Sequence, residues 1–227
     1  MEFTLLDNGI DSLKKTQDSL NRFKELHRPN SYHLLKDAII YLNHGIEILL
    51  KYILSSRNES LIFKDIKVYM KAKEQLKHMP PKEKGFGTYL EKNMPTVFDV
   101  PKDKLQNKIL ETITLREAVD RIELLCDIEI TKEFGDSIYL INKYRNDITH
   151  HSIKLTAKEE QELIKELKIL YVNILGFFEE QIPGIYEKID LERFEVTQAE
   201  MKQWQQDMED FYHERAMSDI SLDEDQY

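Results

Sequence analysis

Cysteine is almost missing from this chain: one residue in 227, Cys126. A lone cysteine excludes an intramolecular disulfide framework and fits a reducing compartment. Cys126 itself is expected to be a buried apolar residue near the end of its helix. Long hydrophobic runs are scarce as well, since no window approaches the roughly 18 to 20 apolar residues of a membrane span. The start, Met1-Glu2-Phe3-Thr4-Leu5-Leu6-Asp7, lacks both a basic opening and a continuous apolar stretch, so no secretory signal is expected. Sustained strand-like alternation and internal repeats are absent too. What remains is a soluble, cytoplasmic, all-α protein as the expectation, with no membrane role. Its 41% apolar content suffices for one large core, or one core plus a small appendage, without covalent staples.

An excess of basic residues is the next thing missing. Net charge is −10, yet residues 190–227 hold 12 acidic and 3 basic residues, a net of −9, which leaves 30 against 29, or −1, for residues 1–189. The acidity belongs to the C-terminal end. Nothing in the near-neutral remainder is an extended basic patch of the kind that drives non-specific nucleic-acid binding, so any capture of nucleic acid has to be local.

Caps and breakers organise the rest. An amphipathic helix is expected from about Ile10 to His27, stopped by Pro29. Asn30 or Ser31 then caps a strongly apolar helix that runs to about Leu54. A turn follows over Ser55 to Glu59, then a lysine-rich helical stretch from Phe63 to His78. Residues 80–112, with Pro80, Pro81, Gly85, Gly87, Pro95 and Pro101, read as an irregular insertion. Gly85-Phe86-Gly87 is too short to cradle phosphate, because no Gly-Lys-Ser/Thr follows it. Three Thr-x-x-Glu capping boxes open later helices. Thr114 starts one to about Cys126, Thr156 one to Gln181, and Thr197 one to about Arg215. Beyond it, Asp219 to Tyr227 is expected to be disordered. Leu163, Leu167, Leu170, Ile174 and Phe177 recur at three and four, which turns that face of the long helix to the core.

A further helix, from about Thr131 to Thr149, carries the residues most suited to chemistry. Arg145 falls in one stripe with Phe134, Ile138, Ile141 and Ile148, where an apolar residue is expected. A guanidinium in a packed seam needs a carboxylate, a phosphate or a partner chain opposite it. Five residues on stands His150, which titrates near neutral pH. Arg145-Asn146 followed by His150, together with an upstream apolar helix ending in Glu47 and Lys51, resembles the HEPN family (higher eukaryotes and prokaryotes nucleotide-binding) over residues 31–182. The resemblance implies a HEPN-like helical bundle spanning residues 1–189, with the 80–112 insertion and an extra acidic C-terminal helix and tail over 190–227. It also implies a metal-independent endoribonuclease with no cofactor, a toxin or antiphage defence effector acting on cellular RNA from a composite site in a homodimer.

In that scheme His150 is the general base or acid, Arg145 stabilises charge on the transferring phosphate, and Asn146 orients ring or phosphate. Glu47 is a supporting candidate. The alternatives stay open beside it: Arg145 pairing with Glu47 or another carboxylate inside the bundle, a catalytically silent nucleotide- or protein-binding module, or a helical adaptor in which the Arg-x4-His match is accidental. His150 and His151 have no companions at zinc spacing, so no metal site is expected and His151 reads as a surface residue. His33, Asp37, His44 and Lys51 form a polar stripe expected to be solvated. Trp204, Phe211 and Tyr212 read as packing or partner contacts. Family toxins that are modified by a nucleotidyltransferase antitoxin carry a tyrosine where Ser152 stands, so another antitoxin, a regulatory protein partner or the acidic end itself would have to supply control.

Overall fold

The computed structural model describes residues 4–26, 32–80, 82–84, 91–93, 95–150, 155–189 and 196–224. Among the described residues eight α-helices follow one another: α1 (Leu5–Leu26), α2 (Tyr32–Arg57), α3 (Ile66–Leu76), α4 (Leu115–Cys126), α5 (Lys132–His150), α6 (Ala157–Gln181), α7 (Ile185–Ile189) and α8 (Gln198–Glu224). The fold is all-α. Its only described strands are two three-residue segments between α3 and α4, β1 (Lys82–Lys84) and β2 (Glu91–Asn93), paired antiparallel. The caps expected before α2, the Gly85-Phe86-Gly87 turn, His151 and Ser152 lie outside the described residues.

Contacts divide the chain into two units, Met1–Leu49 with Glu129–Tyr227, and Leu50–Ile128. In the first, α1 packs on α7, α5 on α6, and α6 on α7 and α8. Its core joins Leu13 and Leu20 of α1, Ile39, Leu42 and Ile46 of α2, Phe134 and Ile141 of α5, and Leu167, Leu170, Ile174 and Phe178 of α6. Phe134 stacks on Phe177 at 3.7 Å between centroids and meets Phe178 edge-on at 5.7 Å. Buried Tyr171 donates to the Leu13 carbonyl at 3.2 Å and to Gln17 Oε1 at 3.1 Å, so its polar end is satisfied inside the core. Two glycines set how closely α1 and α2 approach. A Cβ on Gly9 would come within 2.6 Å of Leu49, and one on Gly45 within 3.1 Å of Leu13.

The C-terminal helix is docked in this unit, with Trp204 and Met208 buried. Along α5 its Tyr212 hydroxyl donates to Asp136 at 2.9 Å, and Lys132 pairs with Glu209 at 3.2 Å. It runs on to Glu224, where disorder was expected from Asp219, because neither glycine nor proline interrupts residues 216–224.

The second unit has buried apolar residues of its own, among them Phe63, Ala72, Val97, Leu105 and Ile122, and the described part of residues 80–112 carries the short helical pieces Val97–Asp99 and Lys102–Leu105. Phe63 stacks on Tyr69 at 4.7 Å, and the Phe63 backbone bridges to Thr112. Arg121 Nη1 donates to the Leu61 and Phe63 carbonyls at 2.6 and 2.9 Å. The bridge takes Phe63 out of the helix expected there, and Asp65, accepting from the Lys67 and Val68 amides, caps α3 two residues later. The turn expected at Ser55 is still helix, since the Ser55 and Ser56 hydroxyls bond the Tyr52 carbonyl at 2.9 and 2.8 Å.

Helix α2 corrects the expectation that no segment is long and apolar enough for a membrane span. It holds an 18-residue window of mean hydropathy 1.2, long and apolar enough by composition to span a membrane, and 61% of that window is buried within the fold. Apolar residues on most of its circumference serve as core.

Candidate functional site

Arg145, Asn146 and His150 all lie in the last two turns of α5. Arg145 is exposed, not packed in a seam. The buried face of α5 runs through Phe134, Ser137, Leu140 and Ile141, whereas Ile138 and Ile148, which share the stripe of Arg145, are only half-buried. Arg145 lies outside the buried face, and its guanidinium keeps its hydration. Its Nη1 donates to Asn146 Oδ1 at 3.0 Å, and the Arg145 carbonyl accepts from the Thr149 hydroxyl at 2.6 Å. The arrangement fixes one edge of a planar, always-charged donor and leaves its other N–H groups toward solvent. Glu47 is half-buried with an interaction of its own, and the structure shows no pairing of it with Arg145. The backbone of His150 is the last helical residue; its side chain lies outside the described residues.

The opposite flank of α5 holds what sequence reasoning missed. Tyr144 donates a short hydrogen bond to Glu166 of α6. Burial pushes the Glu166 carboxyl above its ordinary range, an effect that the Tyr144 bond and nearby Lys143 only partly oppose. Burial, then the facing Glu166 charge, push the Tyr144 hydroxyl up as well. The pair forms one wall of a cleft of about 840 Å³, completed by Tyr32, Leu35 and Lys36 of α2, Asp147 and Ile148 of α5, and Leu155, Glu159, Glu162 and Leu163. One signal could have found it: Glu166 sits three residues after Leu163 and four before Leu170, inside the stripe that faces the core.

Other polar residues resolve differently from expectation. Lys51 is buried, 6% exposed, and donates to Thr112 Oγ1 at 3.1 Å, so it leaves the solvated stripe. His44 stays exposed; the Ser12 hydroxyl donates to the Asn8 carbonyl at 2.9 Å, which makes His44 Nδ1, 2.9 Å away, the donor to Ser12. Cys126 is half-buried, and desolvation raises its thiol pKa, which disfavours the thiolate. Among the described residues no group of three His, Cys, Asp or Glu side chains gathers as a metal site. Trp204 and Phe211 face α5 and α6 around a smaller cavity of about 500 Å³.

The class these observations define is an all-α protein with an exposed arginine–asparagine pair at the end of one helix and an acid-lined cleft beside it. Comparison with protein-family models, with curated proteins and with solved structures found no match.

Proposed function

We propose that the protein is a metal-independent endoribonuclease of HEPN type, acting in the cytoplasm as a growth-arresting toxin or defence effector. The observation that supports the reading is the exposure of Arg145: a guanidinium held by Asn146 and open to solvent can meet an external phosphate. Five residues span about 140° of a regular helix, so Arg145 and His150 of one copy do not share a face. Two copies meeting at the ends of α5 bring an arginine from one and a histidine from the other to the same phosphodiester. One His150 takes the proton of the ribose 2′-hydroxyl, whose oxygen attacks phosphorus. The imidazolium so formed gives that proton to the departing 5′-oxygen. Arg145 meets the charge gathering on the non-bridging oxygens. The products carry 2′,3′-cyclic phosphate and 5′-hydroxyl ends.

The same exposed guanidinium, open to a phosphate or a carboxylate, also fits a second reading, a catalytically silent HEPN-like module that binds a nucleotide or a protein partner. Purified protein incubated with total RNA in excess EDTA separates the two. Cleavage by the wild type that vanishes in Arg145→Ala and His150→Ala, with cyclic phosphate ends, supports the enzyme; intact RNA in every lane, together with unimpaired growth on expression, supports the module.

A further inference from the structure

The cleft between the start of α2, the end of α5 and the start of α6 has the wrong sign for RNA. Among the described residues, the carboxylates Asp147, Glu159, Glu162 and Glu166 line it with Lys36. A phosphate entering it would be repelled, so it is distinct from the Arg145 face and calls for a ligand of its own.

Its walls specify that ligand. Leu35 is buried, and Ile148, Leu155 and Leu163 are half-buried, giving an apolar floor. Tyr144 and Tyr32 add two aromatic rings. About 840 Å³ lies within the range of small-molecule sites, which are mostly apolar with a few convergent polar groups. The carboxylates are not equivalent. Glu159 is engaged by the Thr156 amide and hydroxyl at 2.8 and 2.7 Å, and Glu162 reaches exposed Lys158 only at 3.7 Å. Glu166 is the most desolvated, set back beside the apolar floor with Tyr144 as its hydrogen-bond donor. A carboxylate removed from water and contacted by one neutral donor keeps acceptor capacity that a cation would satisfy.

We infer that this cleft binds a small organic cation, an amine carried on an apolar or aromatic body, with its ammonium toward Glu166 and its body against Leu35, Ile148 and Leu163. Asp147 and Ile148 lie between Arg145 and His150 in the chain, so an occupant would bear on the motif helix. The inference does not rest on the ribonuclease reading, and its test needs no RNA.

Calorimetric titration of the full-length protein with tryptamine, and with its neutral counterpart tryptophol, tests it. Tryptamine is expected to bind saturably at one site, about tenfold or more tighter than tryptophol. Glu166→Gln should bring tryptamine down to the tryptophol level. Leu163→Trp, which fills the floor without changing charge, should abolish both. Should Glu166→Gln fail to fold, as judged by circular dichroism, Glu162→Gln gives a partial loss in its place. Equal binding of amine and alcohol, no saturable binding of either, or binding of a lysine- and leucine-rich amphipathic peptide alone would each overturn the inference.

Discussion

Arg145 is a surface residue, and on the proposed reading its partner is a phosphate outside the folded chain. Replacing an exposed arginine that touches only its neighbour is expected to change stability by no more than about 0.5 kcal/mol. Arg145→Ala should therefore melt with the wild type while RNA cleavage falls by orders of magnitude, and Arg145→Lys should recover little of it, because a point charge does not reproduce the planar donor fork. An Arg145→Ala protein that is both active and markedly destabilised would return the residue to the structural role. Trp204 is the converse case. It is 5% exposed, and among the described residues its Nε1 finds no acceptor. Trp204→Ala should cost about 3–5 kcal/mol through the cavity it leaves. Trp204→Phe keeps most of the volume and removes a buried unpaired donor, so it should cost far less, a difference that paired urea titrations would resolve.

The helices are held at their starts by short-range chemistry, which is why much of the fold is legible in the sequence. Thr114 with Glu117, Thr156 with Glu159, and Thr197 with Glu200 each form the reciprocal cap that Thr-x-x-Glu implies. Hydrogen bonds from the capped backbone hold all three carboxyls below their ordinary value of 4.5. A carboxyl depressed in the fold contributes stability that is fully present above 4.5 and is lost as pH falls through the lower folded value. Replacing Glu117, Glu159 and Glu200 together by glutamine should thus flatten the loss of stability on acidification while leaving the helix content intact. An unchanged acid limb in urea titrations at stepped pH would refute that account. Helix ends, by contrast, were misjudged wherever a distant element decided them. The Phe63 to Thr112 bridge delays α3, and the face of α5 that tertiary packing buries, through Phe134, Ser137, Leu140 and Ile141, leaves out Arg145, which periodicity alone assigns to the packed stripe. The cleft was invisible for the same reason, since Leu35, Tyr144 and Leu163 meet only through tertiary packing.

On the scale of the whole molecule, composition and contacts divide the chain differently. The acidic C-terminal stretch stands apart in charge, yet α8 is packed beside α5 and α6 and belongs to the same unit as the motif helix. With −9 of the net −10 in residues 190–227, the proposed binding of RNA rests on a few local contacts, so its salt dependence should be shallow. Locality also decides how many copies the chemistry needs. One helix end offers Arg145 or His150 to a given phosphate, not both, because about 140° separates them. A site built from two copies tolerates a defect in each, provided the defects differ. Arg145→Ala and His150→Ala, each inactive alone, should regain part of the wild-type cleavage when co-expressed or mixed and allowed to exchange subunits, since a mixed dimer retains one arginine and one histidine at the shared site. A mixture that exchanges subunits, as shown by tagged co-purification, and still leaves RNA intact would mean that each copy must supply a complete pair, and the composite site would have to be abandoned.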